Sequence, residues 1–333
     1  MAVQESHGRF DPADIERAGG LAGRSIAVLG ATGFLGRHIC TAFSAAGASV
    51  CEVSRTAQRG DGRTRRPVEL DLVGASSERL AEVLADADVI VNAAGMLWGA
   101  TEEEMAGVNS GAVVRLAELV PELPRSPRFI QLGTVHEYRP APVGSSIAED
   151  QPVGPVTAYG RTKLRGSQAV LRATRMNAMD GVVLRIGNAF GPGTPNGSLL
   201  GGVAGRLSEL ARSSANGMHP ARLRLAPLRT WREFIDVRDI ADAVVAVTKA
   251  PMVDLSQRII NVGRGQALEV RWLVDQLITV SGIDVQVVEE QPRDAQRSDV
   301  VWQQLNISRA RQLMHWRPRR GVRESLRDLL AAA

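Results

Sequence analysis

The feature that most constrains this chain is the heptapeptide GATGFLG. It sets Gly30, Gly33 and Gly36 three residues apart, directly after the apolar run SIAVL (Ser25 to Leu29) and directly before a helical pattern running from Phe34 to about Ala46. A strand that turns sharply into a helix needs a residue without a side chain at the corner, and Gly30 supplies it. Gly33 leaves backbone room for a bulky anion, and Gly36 lets the new helix lie close on the strand. Thr32, Phe34 and Leu35 complete the turn. The first N–H groups of such a helix have no partner within it and face outward, which is how a pyrophosphate is bound.

Beyond this corner, strands and helices alternate. Ala48–Ser54 (ASVCEVS) reads as a second strand and RPVELDL as a third, ending near Leu72. SSERLAEVLAD reads as a helix, Asp88 to Gly95 as a strand running into a small-residue turn, and Glu103 to about Leu119 as a helix. Pro127 to Thr134 is another strand, Ala158 to about Met176 a long helix, and DGVVLRIGNAFGPG a strand with a glycine-proline loop. This rhythm predicts an α/β fold, a doubly wound parallel sheet of the Rossmann type. The pattern loosens after Asn188. The expected division is an N-terminal extension over 1–23, a dinucleotide-binding domain over 24–187 with about 235–262, and a smaller C-terminal α/β substrate lobe from 188–234 with 263–333.

Composition narrows the class. Of 333 residues, 44% are hydrophobic and 23% charged, so a real core is available and wholesale disorder is excluded. No apolar run reaches the roughly 18 residues of a membrane helix, and the polar first residues lack an apolar signal core, which predicts a cytoplasmic protein. Two cysteines, Cys40 and Cys51, make no disulfide framework, and no CxxC or His-rich spacing suggests a metal. The net charge is only +4, the arginines are scattered among acids, and aromatics are 4%, which argues against a nucleic-acid surface.

The end of the second strand bears on the choice of dinucleotide. A ribose 2′-hydroxyl is usually held by an acid about 20 residues beyond the first glycine. Here the chain reads Val53, Ser54, Arg55, and a hydroxyl followed by a guanidinium suits a 2′-phosphate. Arg59 is a second candidate for that phosphate, and Glu52 is the counter-argument. The pair favours NADP(H) over NAD(H).

Tyr159-Gly160-Arg161-Thr162-Lys163 places a phenol and an ammonium four residues apart, on one face of a helix. A neighbouring cation favours the phenolate and is expected to bring the phenol's pKa down from ~10 toward the working range. Lys163 is one of only two lysines. Thr134, at the end of its strand and so at the carboxyl edge of the sheet, supplies a hydroxyl for a substrate carbonyl.

These motifs together resemble the extended short-chain dehydrogenases/reductases, of the NAD-dependent epimerase/dehydratase type that acts on nucleotide sugars. The resemblance runs from about residue 24 to 330. It rests on GATGFLG, VNAAG, EMAGVNSGAVVRLAE, LGTVHEY, AEDQPVGPVTAYGRTK, LRIGNAFGPG, WREFIDVRDIADAV and NISRARQLMHWRPRRGVRESL. It implies that Thr134 is the active-site hydroxyl, Tyr159 the acid/base and Lys163 its partner. It implies that Asp71 and Leu72 touch adenine, that Ala93, Ala94 and Gly95 line the adenosine ribose, and that Asn188, Arg232 and Arg293 (or Arg297) contact the substrate's diphosphate. Asn109 ties backbone segments or holds a catalytic water; both readings stand.

The departures from the family pattern narrow the reaction. The dehydratases carry an Asp-Glu pair directly after the threonine, whereas here Val135 and His136 stand there. Glu137, one residue on, is expected to point elsewhere, and His136 either packs at the strand end or protonates substrate. LGTVHEY and HWRP resemble the 4-ketoreductases that finish deoxysugars for glycosylated natural products. The resemblance thus implies NADPH-dependent reduction of a nucleotide-linked, dTDP-type 4-keto-6-deoxyhexose by a homodimer, without nucleic-acid or membrane partners. An NAD-retaining nucleotide-sugar 4-epimerase is the alternative, and a non-catalytic cofactor sensor is the alternative of another class.

Overall fold

The computed structural model describes residues 20–56, 65–213, 221–290 and 300–333. Among them, seven parallel strands form the main sheet: β1 (Ser25–Leu29), β2 (Ser49–Ser54), β3 (Arg65–Glu69), β4 (Val89–Asn92), β5 (Arg128–Thr134), β6 (Gly181–Ile186) and β10 (Ile259–Val262). Their order is β3-β2-β1-β4-β5-β6-β10. The central strands β1 and β4 run largely apolar without alternation because both faces are covered, whereas the edge strand β3 has no buried residue. In β1, Ile26 and Val28 enter the core beneath α1 (Phe34–Ala45), while Ala27 and Leu29 enter the opposite core with α2 (Ser77–Leu84). The direction of winding reverses between β1 and β4, and ligands bind in the crevice such a switch opens at the carboxyl ends of the strands.

The helix expected over Glu103 to Leu119 is interrupted. It is built of α3 (Glu102–Ala106), a π-helical turn (Gly107–Gly111) and α4 (Ala112–Leu119). The neighbouring helix α5 (Ala158–Arg175) crosses at Gly166, where an alanine Cβ would stand 2.3 Å from the Asn109 carbonyl oxygen. The third strand also ends sooner than its apolar pattern suggests, at Glu69, because the Asp71 carboxylate accepts from the Val73 N–H and closes a turn.

After β6 the chain leaves the main sheet. β7 (Asn188–Phe190) and β11 (Ala267–Glu269) flank β9 (Trp231–Asp236) in a three-stranded sheet, and β8 (Ala221–Leu225) pairs in parallel with β12 (Val285–Glu289). These strands pack with α6 (Leu199–Ser213), α8 (Val270–Ser281) and α10 (Val322–Ala331) around a separate apolar cluster that includes Leu207, Leu273, Leu277 and Leu326. Between them, α7 (Val237–Val247) and β10 carry the chain back to the main sheet, and α9 (Ser308–Met314) adds Ala310 and Met314 to its core. Of the N-terminal stretch, 1–19 lie outside the described residues. Leu21 is buried, and its N–H bonds the Ala46 carbonyl. No described helix is long and apolar enough to cross a membrane.

Candidate active site

The glycine corner is as tight as its spacing requires. Gly30 has φ +77°, and an alanine Cβ there would lie 2.7 Å from the Ala94 backbone across the switch point. At Gly36 a Cβ would stand 2.1 Å from the Gly30 carbonyl oxygen, so the first turn of α1 rests directly on the strand end. Gly33 caps α1 without any side-chain hydrogen bond, which leaves the helix's first N–H groups facing outward for an anion. Thr32, Phe34 and Leu35 are half-buried around it. A dinucleotide diphosphate fits this cradle.

At the ribose end, the Ser54 hydroxyl donates to the Thr56 carbonyl (2.7 Å). Arg55 is exposed and makes no hydrogen bond or ion pair among the described residues. Glu52 is engaged elsewhere: its carboxylate lies 3.4 Å from Arg65, whose guanidinium also bonds Ser44 and Thr41 of α1. That pairing removes it from the ribose end, although Glu52 and Ser54, two apart on the strand, share a face. Arg59 lies outside the described residues. On the adenine side, Asp71 is exposed and Leu72 buried, and Arg115 holds the turn by bonding the carbonyls of Val73 (3.0 Å) and Ala75. The Ala93–Gly95 turn follows β4, with the Ala94 N–H on the Asn92 side chain (3.2 Å).

Thr134, Tyr159 and Lys163 come together at the carboxyl edge of β5. Thr157 caps α5 by accepting from the Gly160 N–H. The helix presses against the turn after β5 so closely that a Cβ at Gly160 would stand 2.3 Å from the His136 carbonyl. Lys163 is buried, with Nζ 3.9 Å from the place of a Gly95 Cβ, so it reaches from α5 to the turn after β4. Burial pushes its pKa down to about 8, against the pull of Glu137. The Tyr159 phenol goes the other way from expectation. Burial and the Glu137 charge push it up to about 12, and interaction with Thr134 only partly offsets them. The expected depression by a neighbouring cation fails because desolvation of the phenolate and the Glu137 charge outweigh what lowers the pKa, the interaction with Thr134.

Glu137 does point away from the cleft, into the protein. It is fully buried, accepts from the Thr134 N–H (3.0 Å) and Ser167 Oγ (2.9 Å), and pairs with buried Arg185 (2.9 Å). The π turn swings Asn109 inward. Its amide bonds both backbone groups of Met96 (2.9 Å each) and the Thr162 hydroxyl (3.1 Å), joining the turn after β4 to α5. These contacts employ Asn109 as a structural tie.

Beside Tyr159, His136 meets a polar group drawn from the second lobe. The His136 ring stands edge-on to the Tyr159 ring, centroids 6.1 Å apart, and its Nε2 is 3.4 Å from Asn188 Oδ1. Burial and the Arg232 charge lower the His136 pKa and keep the ring neutral. The Asn188 amide donates to the Glu233 carbonyl (2.8 Å) and to Gln303 Oε1 (3.1 Å), so its N–H groups are spent and offer nothing to a phosphate. Arg232 is different: its Nη1 is buried and finds no partner among the described residues, and burial lowers its pKa. A buried guanidinium nitrogen without an acceptor is costly, and an anionic ligand would satisfy it. Arg293 and Arg297 lie outside the described residues. Gln303 carries no motif, and nothing local in the sequence marks it as a partner of Asn188.

The profile of the NAD dependent epimerase/dehydratase family matches residues 26–263. The chain belongs to that family. It is an enzyme of this group, whose members use nicotinamide dinucleotides. It is 40% identical over 312 residues to a dTDP-6-deoxy-L-talose 4-dehydrogenase (NAD(P)(+)) of Kitasatospora kifunensis, covering 92% of this chain and 95% of that protein. In fold it is similar to RMD from Pseudomonas aeruginosa complexed with NADPH (TM-score 0.78, 18% identity, 94% of this chain and 98% of the other). It is likewise similar to the dTDP-glucose 4,6-dehydratase of Bacillus anthracis in complex with NAD (TM-score 0.76, 19% identity, 93% and 96%).

Proposed function

We propose that this enzyme reduces the C4 keto group of a nucleotide-activated 4-keto-6-deoxyhexose, dTDP-linked, with NADPH, in the making of deoxysugars for natural products. The observation that supports the reading is the buried Arg232 Nη1, without a partner among the described residues, whose charge acts on His136, the ring of which stands 6.1 Å from that of Tyr159. An anion-binding group on the His136 side of the proposed proton donor suits a substrate that carries a diphosphate. The kinship to a dTDP-6-deoxy-L-talose 4-dehydrogenase supports both the nucleotide sugar and the position of attack. Val135 and His136, standing where a dehydratase has its acids, support reduction over loss of water.

The glycine corner and the first turn of α1 hold the cofactor diphosphate, and Arg55 meets the 2′-phosphate. When bound, the nicotinamide supplies a hydride to the carbonyl carbon. Arg232 grips the substrate diphosphate. Thr134 donates a hydrogen bond to the carbonyl oxygen, and Tyr159, a protonated phenol at neutral pH, passes its proton to that oxygen as it gains charge. Lys163 keeps a positive charge beside the ribose turn and offsets the negative charge left on the phenolate. The enzyme works as a cytoplasmic homodimer, which sedimentation of the purified protein checks.

The test is an NADPH-oxidation screen over nucleotide-linked keto sugars, with the C4 configuration of the product read by NMR. Rapid, stoichiometric NADPH consumption on a dTDP-4-keto-6-deoxyhexose is the expected result. Tightly retained NAD in the purified protein, together with redox-neutral C4 inversion, would make it a 4-epimerase instead.

A further inference from the structure

The deepest charge in the site belongs to a residue that never reaches the cleft. Glu137 sits in the short turn after β5 with its carboxylate fully buried. Oε1 accepts from the Thr134 N–H and from Ser167 Oγ, and Oε2 from Arg185 Nε. Room for it comes from Gly133, where a Cβ would stand 2.6 Å from Oε1. The Arg185 guanidinium is sandwiched in turn, 4.3 Å from the centre of the Tyr138 ring. An ion pair this deep is a poor device for stability, because apolar residues of the same volume often serve as well or better. Its charge does reach the reacting groups: it pulls the Lys163 pKa up and pushes the Tyr159 pKa up.

We propose that Glu137 is a positioning residue of the reductase, whose buried carboxylate, clamped by Arg185 and Ser167, fixes Thr134 at the strand end through Oε1 and sets a negative charge behind the Tyr159–Lys163 pair. The kinetic part of this rests on the reductase reading above; the charge part rests on this chain alone. The charged and titratable groups around the pair are Glu137 and His136 from the turn after β5, Tyr138 beyond them, Arg185 from β6 and Arg232 from β9 behind His136. The side chains tied in from the π turn and within α5 are neutral, Asn109 and Thr162. Of these groups, Glu137 is the acid whose charge acts on both Tyr159 and Lys163.

The sequence makes this measurable without turnover. Lys163 and Lys249 are the only lysines, so protein labelled with carbon-13 at lysine Cε gives two resonances. In the wild type, the Lys163 signal is expected to titrate near 8. In Glu137→Gln it is expected to move down by about 1 unit or more, as a close opposite charge commands, and the basic limb of kcat against pH moves down with it. The double variant E137Q/R185Q removes both charges, leaves no unpaired guanidinium and carries the same expectation. It serves if the single variant fails to fold, which the Lys249 signal and a cooperative melt report. Ser167→Ala keeps the charge and is expected to leave the Lys163 titration in place. A folded Glu137 variant with an unmoved Lys163 titration overturns the proposal, as does a wild-type Lys163 that loses its proton below neutral pH. If the resonance moves but no keto sugar is reduced, the reductase reading falls and the charge assignment stands.

Discussion

Each residue in the cleft contributes by what burial does to its charge. Tyr159 carries the proton a general acid must donate, and its raised pKa makes it a weaker acid than a free phenol. Tyr159→Phe is therefore expected to lower kcat by about 100-fold or more while leaving NADPH affinity nearly unchanged; steady-state rates beside a fluorescence titration of NADPH check both halves. Arg232 carries the opposite lesson. Its Nη1, without a partner among the described residues, burdens the free protein, so Arg232→Met should raise KM for the nucleotide sugar by about 10-fold or more without lowering Tm. A fall in Tm would show that the guanidinium already has a structural partner. At the cofactor end, Arg55→Ala should weaken NADPH far more than NADH in paired calorimetric titrations, and equal losses would remove Arg55 from the 2′-phosphate.

At the scale of elements, the site is set by how closely pieces of backbone approach. The first turn of α1 lies against the end of β1 with only hydrogen at Gly36 between them, and α5 crosses the π turn with only hydrogen at Gly166. Neither contact has a flexible side chain that can yield, because the obstructing atoms are the carbonyl oxygens of Gly30 and Asn109. Gly36→Ala should therefore cost about 1–3 kcal/mol in urea unfolding. Gly33→Ala, whose Cβ would be 3.1 Å from the Gly30 oxygen, should cost clearly less in stability but still weaken the dinucleotide. Equal stability losses would mean that α1 is free to shift.

Across the whole molecule, the two lobes meet around Glu233. It lies in β9, fully buried, and accepts from the backbone N–H groups of Gly265 (2.9 Å), Arg264 and Leu305 (2.8 Å). The strand, the turn after β10 and the segment after Gln303 thus share one carboxylate. Burial outweighs these donors and pushes its pKa up from 4.5 to about 7. The folded state therefore holds a proton that the unfolded chain has released. The stability from this group is full below about pH 4.5 and is lost as pH rises through about 7. Glu233→Gln should flatten the dependence of Tm on pH in that window, even though it lowers Tm overall by giving up one acceptor oxygen. An unchanged slope would assign the titration elsewhere.

The parallel sheet, the glycine corner and the Tyr159–Lys163 spacing were legible in the chain because each depends on neighbours close in sequence: an apolar run, a residue without Cβ, one turn of helix. The family followed from several such motifs in order. Other features stayed hidden because their causes lie far along the chain. Asn188 spends its donors on the Glu233 carbonyl and on Gln303, 45 and 115 residues away. Glu52 is taken up by Arg65 on the next strand. The Glu137 carboxylate turns inward, onto Arg185, 48 residues on. The direction of the Tyr159 pKa reversed for the same reason, since spacing places a cation near a phenol but only packing decides how much water either one keeps. The sequence by itself determined which chemical groups meet at the sheet edge; the tertiary structure alone decided their protonation and which of them were left without a partner, because both depend on desolvation by residues distant in the chain.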